Sequence, residues 1–276
     1  MSGKLYLVAT PIGNLGDFSP RAQDTLRSVD FIAAEDTRVS VKLLNHFEIK
    51  RPLVSYHEHN RKDAGPKILE RILSGESCAL VTDAGMPAVS DPGEDLVALC
   101  AQSGVEVLAV PGACSPVCAL ALSGLHTGRF TFEGFLSTSK KSRRAHLDEL
   151  ANEKRTMVFL EAPHKLCATL SDMMDAFGGD RRVALCREMT KLHEETLRMT
   201  LSEAVKHFEE TPPKGEFVLV IEGKREEKSP EADIGELLKC VEKLRADGYS
   251  LKDATRRVSE DTGYNRKALY DAAVKG

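Results

Sequence analysis

The first 110 residues alternate short apolar runs with helical stretches, and most of the runs stop at a polar or Gly/Pro-bearing turn. No other feature of the sequence constrains the fold as strongly. Leu5 to Ala9, Phe31 to Ala34, Leu53 to Ser55, Cys78 to Thr82 and Val107 to Val110 are four- or five-residue strands or shorter. Between them lie helical patterns: one opens at Ser19-Pro20, one covers Pro66 to Leu73 ahead of Gly75, and one covers Asp95 to Ser103 ahead of Gly104. Strands that alternate with helices need crossover connections, so a mostly parallel sheet with helices on both faces is expected. Beyond about residue 125 the pattern changes. Phe130 to Phe135, Thr156 to Leu160, Val183 to Cys186, Glu195 to Thr200 and Phe217 to Ile221 are strand candidates, with helices near 143–153, 165–177 and 202–210.

The expected fold class is therefore α/β. It comprises an N-terminal domain over 1–118, a second α/β domain with a mixed sheet over 119–223, and a linker with a small helical tail over 224–276. In the tail, Ser250 and Asn265 are the expected N-caps and Gly263 the helix stop, which gives helix-turn-helix spacing. No run of about 18 apolar residues exists and the N-terminus has no cleavable signal pattern, so a cytoplasmic protein is expected. The seven cysteines form no C-x-x-C pair, and most sit in apolar runs, as reduced buried thiols do. His57 and His59 are spaced as two metal ligands could be, but no third ligand accompanies them, and no metal is expected.

Three turns follow predicted strands: Thr10 to Asn14, Thr82 to Pro87 and Pro111 to Ser115. Ligands of open α/β sheets bind outside the carboxyl ends of the strands, so three such loops, with Asp83, Ser90 and Asp91 among them, point to a binding cleft. None is a G-x-G-x-x-G or Walker A motif. Further polar segments follow other strands: Ala34 to Arg38, Ser55 to Arg61, Glu161 to Lys165 and Arg187 to Glu195.

Taken in order, LYLVATPIGNLGD from Leu5, AEDTR from Ala34, SYHEHN from Ser55, LVTDAGMPAVSDPG from Leu80, VPGACS from Val110, EAPH from Glu161, REMTKLHEE from Arg187 and KGEFVLVIEG from Lys214 resemble one family. It is the ribosomal RNA small subunit methyltransferase I family of the tetrapyrrole methylase superfamily. The chain departs from the family pattern at Met86, Ser137, Lys165 and Met189, without loss of an ionisable group. The resemblance implies two α/β domains with S-adenosyl-L-methionine in the cleft between them. It also implies 2′-O-methylation of a cytidine in the decoding region of 16S rRNA, within the 30S subunit, by a homodimer. Carried over, the cofactor contacts fall on Pro11, Ile12, Gly13, Asp83, Ala84, Gly85, Met86, Val89, Cys114, Ser115, Leu160, Glu161, Ala162, Arg187 and Glu216.

A ribose hydroxyl is a weak acid, so a general base or polarising cation helps the transfer. Glu35, Asp36, His57, Glu58, Glu188 and Lys191 are candidates, with Asp36 or Glu58 preferred. RNA contacts are expected at Arg38, Arg61 and Lys62 and at the cluster Lys140, Lys141, Arg143 and Arg144, because cations on phosphates give affinity. The overall charge of −4 argues against general RNA affinity: residues 1–223 carry 26 Lys and Arg against 31 Asp and Glu, and the remainder 12 against 11. Two alternatives stay open. One is methylation of a tetrapyrrole or a modified protein residue; the other is a non-catalytic ribosome-binding protein.

Overall fold

The computed structural model describes residues 3–225 and 234–275. The chain divides into two compact units, Met1–Lys224 and Arg225–Gly276.

The first sheet of the larger unit is fully parallel. It contains β1 (Leu5–Val8), β2 (Phe31–Ala34), β3 (Leu53–Ser55), β4 (Cys78–Val81) and β5 (Val107–Val110), in the order β3-β2-β4-β1-β5. Both faces are covered, as short apolar parallel strands require. On one face, α1 (Pro20–Ser28) and α2 (Thr37–His46) bury Leu26 and Leu44 against Val8, Ile32 and Ala79. On the other, α3 (Arg61–Leu73) and α4 (Glu94–Gln102) bury Ile68, Ile72, Leu96 and Cys100 against Leu5, Phe31 and Leu80. The Ser19 hydroxyl caps α1 by accepting from the Ala22 N–H at 3.1 Å, with Pro20 at the first helical position.

Two segments depart from expectation. The polar stretch after β2 is not all loop: Asp36 is the N-cap of α2, which the sequence pattern hides behind its polar first turn. Helix α3 begins at Arg61 rather than Pro66, because the Asn60 carbonyl accepts from the N–H groups of Asp63 and Ala64.

The second sheet contains β6 (Phe130–Phe135), β7 (Thr156–Glu161), β8 (Arg182–Arg187), β9 (Glu195–Thr200) and β10 (Phe217–Ile221), in the order β6-β7-β10-β8-β9. Only β6 and β7 run parallel. One face packs on α6 (Lys140–Leu150), α7 (Pro163–Phe177) and α8 (Leu201–Glu210) through Leu147, Leu166, Leu170 and Leu201. The other face packs on α5 (Ser115–Leu122), whose Ala119 and Leu120 lie against Val158, Ala184 and Val220. A division at 118/119 therefore cuts through α5, which packs on the second sheet.

The smaller unit contains α9 (Ile234–Ala246), α10 (Leu251–Thr262) and α11 (Arg266–Lys275) around Leu237, Val241, Ala254, Val258 and Leu269. The Ser250 hydroxyl accepts from the Asp253 N–H, Gly263 ends α10 at φ 71°, and the Asn265 side-chain oxygen accepts from the Ala268 N–H. The linker expected over 224–233 lies, past Arg225, outside the described residues. Among those residues, no helix is long and apolar enough to cross a membrane.

Candidate functional site

The strand order decides which loops meet. β4, β1 and β5 are adjacent, so the turns after them emerge side by side, with the turn after β2 beside β4. Two of these turns are stitched together: the backbones of Thr10 and Gly85 exchange hydrogen bonds of 2.9 and 3.1 Å, and the Thr10 hydroxyl donates to the Thr82 carbonyl. Gly85 holds φ 90°, a conformation that side chains rarely adopt. From the second sheet, the ends of β6 and β7 and the start of the antiparallel β10 face these turns. Together they enclose a cavity of 510 Å³.

Of the residues proposed for the cofactor, Ile12, Asp83, Ala84, Gly85, Met86, Val89, Cys114, Ser115, Leu160, Glu161, Ala162 and Glu216 line this cavity. Pro11, Gly13 and Arg187 do not. Gly13 lies against Lys191, where a Cβ would come within 2.5 Å of the lysine Cγ. Arg187 turns away to pair with Glu195 at 3.1 Å and donates to the Lys214 carbonyl. The cavity also takes in Glu35, Asp91, Phe135, Met189, Phe217 and Val218. Of these, Phe135 carries a signal in the sequence: Gly134, a glycine inside an aromatic strand, marks a bulge.

Two lining residues share a backbone device. Val89 sits between Ala88 and Ser90 (φ 64° and 66°), and Met189 between Glu188 and Thr190 (φ 50° and 67°). Four non-glycine residues in left-handed conformations flank one cavity. Each costs roughly 1–2 kcal/mol, a cost that tends to persist at functional sites.

The cavity carboxyls are electrostatically tuned. The Asp36 N–H donates to Asp83 Oδ1 at 3.1 Å, and the Asp83 N–H to Glu35 Oε2 at 3.4 Å. Burial, and then repulsion from Glu35 and Asp83, push Asp91 up to about 6. Burial likewise raises Glu35 and Asp83. Glu161 is buried at the end of β7, where it accepts from the Ala162 N–H and the Thr169 hydroxyl and pairs with Lys165 at 3.2 Å.

None of the preferred catalytic residues lines the cavity. Asp36 caps α2 and pairs with Arg38 at 2.6 Å, and the guanidinium hydrogen bonds hold its carboxyl down at about 2. Glu58 is exposed and pairs with Arg61, which also pairs with Asp95. The His57 N–H donates to Asn60 Oδ1. Glu188 and Glu216 both pair with Lys191 at 3.0 Å. Burial works against the Lys191 charge, but the two carboxylates outweigh it and raise its pKa.

The cations expected to meet RNA divide. Arg38, Lys62, Lys140, Lys141 and Arg144 are exposed. Arg143 is not: it is buried on Asp172, so its assignment to an RNA-facing cluster is corrected. The sequence offers no sign of this, because Asp172 lies 29 residues away. Among the described residues, no group of three or more His, Cys, Asp or Glu side chains could hold a metal ion.

The family model for tetrapyrrole (corrin/porphyrin) methylases matches residues 4–205. Among curated relatives, the ribosomal RNA small subunit methyltransferase I of Synechocystis sp. is 48% identical over 99% of this chain and 98% of its own. The protein of that name from Halalkalibacterium halodurans is 48% identical over 98% of this chain and 94% of its own. That of Bacillus subtilis is 45% identical over 98% and 94%. Among solved structures, a diphthine synthase superposes with a TM-score of 0.60 at 15% identity, covering 80% of this chain and 90% of its own. Uroporphyrin-III-C-methyltransferase from Thermus thermophilus gives 0.55 at 19%, covering 80% and 94%. Both structures speak to the fold.

Proposed function

The chain belongs to the tetrapyrrole methylase family and, within it, to the ribosomal RNA small subunit methyltransferase I family. From that premise we propose that it transfers the methyl group of S-adenosyl-L-methionine to the 2′-hydroxyl of a cytidine in the decoding region of 16S rRNA. The observation that carries the reading is the cavity built by strand-end loops of both sheets. Its 510 Å³ lies within the usual range for small-molecule sites. Its lining suits the cofactor: Ile12, Val89, Leu160 and Val218 offer apolar surface for a purine, and carboxyls offer partners for ribose hydroxyls and an ammonium.

When bound, the cofactor supplies a methyl on a sulfonium whose positive charge is lost on transfer. A fully ionised pocket would hold that charge and favour the ground state. Burial of Glu35, Asp83 and Asp91 works against the charge of each and raises its pKa. The same burial suits Asp91 to accept the hydroxyl proton, since a group titrating near 6 is basic enough to act and largely ionised at neutral pH. Asp91 therefore takes the role first sought at Asp36 and Glu58. Asp36 is the weaker base at about 2, and its oxygens are engaged by Arg38. Exposed Lys62, Lys140 and Lys141 remain for phosphates, while Arg38 is engaged by Asp36 and Arg144 by Asp172 and Asp175.

The proposal extends to a cytoplasmic homodimer acting on the 30S subunit. In support of a dimer, the apolar helix α5 leaves Val117 and Leu122 exposed. The test is incubation of the protein with labelled S-adenosyl-L-methionine and unmethylated 30S subunits, followed by mass mapping of the rRNA. One 2′-O-methylcytidine in the decoding region is expected. Label in a base, in another region or nowhere overturns the reading.

A further inference from the structure

Aromatic side chains are few here, ten Phe and five Tyr with no Trp, and seven of them are buried. Phe135 is different: it ends β6, lines the cavity and is 56% exposed.

A bulge puts it there. β6 pairs with β7 as Phe132 with Val158, Gly134 with Phe159 and Phe135 with Leu160, so Glu133 is the extra residue. Successive strand side chains alternate between faces, so in a regular strand Phe135 would lie on the face opposite Phe132. The inserted residue returns Phe135 to the face of Phe132, Val158 and Leu160, the side on which the cavity opens. Glu133 has its own partner, His146, at 3.1 Å. Gly134 absorbs the kink at φ 62°, in a space where a Cβ would lie 3.4 Å from Ser90 Oγ. The Lys165 ammonium stands 5.5 Å from the ring centroid, held by Glu161. Further along the chain, Lys140 and Lys141 stand exposed at the start of α6.

A phenyl left 56% exposed forgoes much of the gain from burial, so a bulge that turns it to the rim leaves an apolar face open to whatever arrives there. We propose that Phe135 is the platform on which the base of the acceptor nucleotide stacks, with Lys140 and Lys141 against neighbouring phosphates. The inference rests on the RNA substrate proposed above and names its subsite. Unpaired nucleotides of folded RNA can be splayed out with their bases stacked on aromatic side chains, and such a base fixes where its own ribose hydroxyl stands. Stacking holds any base, because every base has a π-face, and phosphate contacts add affinity without reading sequence.

The test uses the full chain and its variants Phe135→Ala, Phe135→Leu and Phe135→Tyr. Methyl transfer to 30S subunits and S-adenosyl-L-methionine affinity by calorimetry are measured for each. For both Phe135→Ala and Phe135→Leu, kcat/KM for 30S falls about 10- to 100-fold, carried by KM, while cofactor affinity stays within about twofold. Phe135→Tyr retains transfer. Wild-type transfer by Phe135→Leu shows that apolar bulk suffices and overturns the platform. So does a loss of cofactor affinity in Phe135→Ala that matches its loss of transfer, since the ring then belongs to the cofactor. An unsubstituted protein that methylates no 30S subunit overturns the substrate reading itself, and the platform with it.

Discussion

Replacing Arg143 with alanine should unfold the protein more readily without weakening the RNA contacts proposed for its exposed lysines. The guanidinium of Arg143 is buried, with Nη2 at 2.6 Å and Nε at 2.8 Å from Asp172 Oδ2. Nη1 reaches back to the carbonyls of Ser137 and Thr138. Arg144 Nε donates to the other carboxylate oxygen at 2.7 Å, so one buried aspartate on α7 clips down the start of α6. Breaking a buried ion pair costs about 3–5 kcal/mol, because the remaining charge is left uncompensated. Arg144 stays in Arg143→Ala, so the low end, about 3 kcal/mol, applies. For a unit of the size of Met1–Lys224 that lowers Tm by roughly 6–12 °C. Lys140→Ala with Lys141→Ala, both at exposed positions, should change stability by no more than about 0.5 kcal/mol per site. That double variant should weaken 30S binding and flatten its salt dependence, by up to about 0.7 in log–log slope for each phosphate left without its cation. Calorimetric melting and salt-titrated 30S binding separate the two. An Arg143→Ala variant with unchanged Tm and a flattened salt slope would refute the burial argument. Acid gives a second check. Burial works to raise Asp172, but the two guanidiniums outweigh it and hold its pKa below 3.8. The stabilisation is therefore present above about pH 4 and fades as pH falls through the lower folded value, so the Arg143→Ala deficit should shrink in acid.

Asp91, with a folded pKa raised from 3.8 to about 6, contributes stability below pH 4 that is lost as pH rises to 6. Asp91→Asn should therefore raise Tm at pH 8 and change it little at pH 4, while lowering kcat at least about 100-fold; equal Tm shifts at both pH values would argue against a buried charge. Gly85→Ala should cost about 1–2 kcal/mol from backbone strain alone, since the added Cβ meets only ordinary contacts at 3.5 Å or more, and S-adenosyl-L-methionine affinity should fall with it. Thiol labelling of the native protein should proceed at exposed Cys118, Cys167 and Cys240 and spare buried Cys78, Cys100 and Cys186, whose thiols burial pushes up. S-adenosyl-L-methionine should slow labelling of Cys114, which lines the cavity, and peptide mapping would expose a failure at any of these sites.

Local chemistry wrote much of the fold into the sequence. The strand runs, the Ser19 and Ser250 caps, the Gly263 stop and the turn-bearing loops depend on a few adjacent residues, so they can be read without knowing what packs where. Helix α2 was less legible because its polar first turn resembles a loop and its buried Ser40 and Leu44 signal only against a sheet. The cavity residues drawn from the loops after β1, β4 and β5 were accessible through the rule that ligands sit at strand ends. That rule does not reach the partners across the cavity, since they depend on β10 running antiparallel between β7 and β8; Leu160, Glu161, Ala162 and Glu216 were legible only through the family resemblance. Tertiary structure alone decided three further matters. Arg143 reads as part of a basic surface cluster until Asp172, distant in sequence, takes it into the interior. Asp36 and Asp91 are the same residue type, yet a guanidinium holds one near 2 while burial lifts the other near 6. Phe135 faces the cavity because one extra residue in β6 reverses its side. Sequence sets which groups the chain owns and its local geometry. Burial and long-range pairing set their charge and direction, and those exist only once the two sheets have packed.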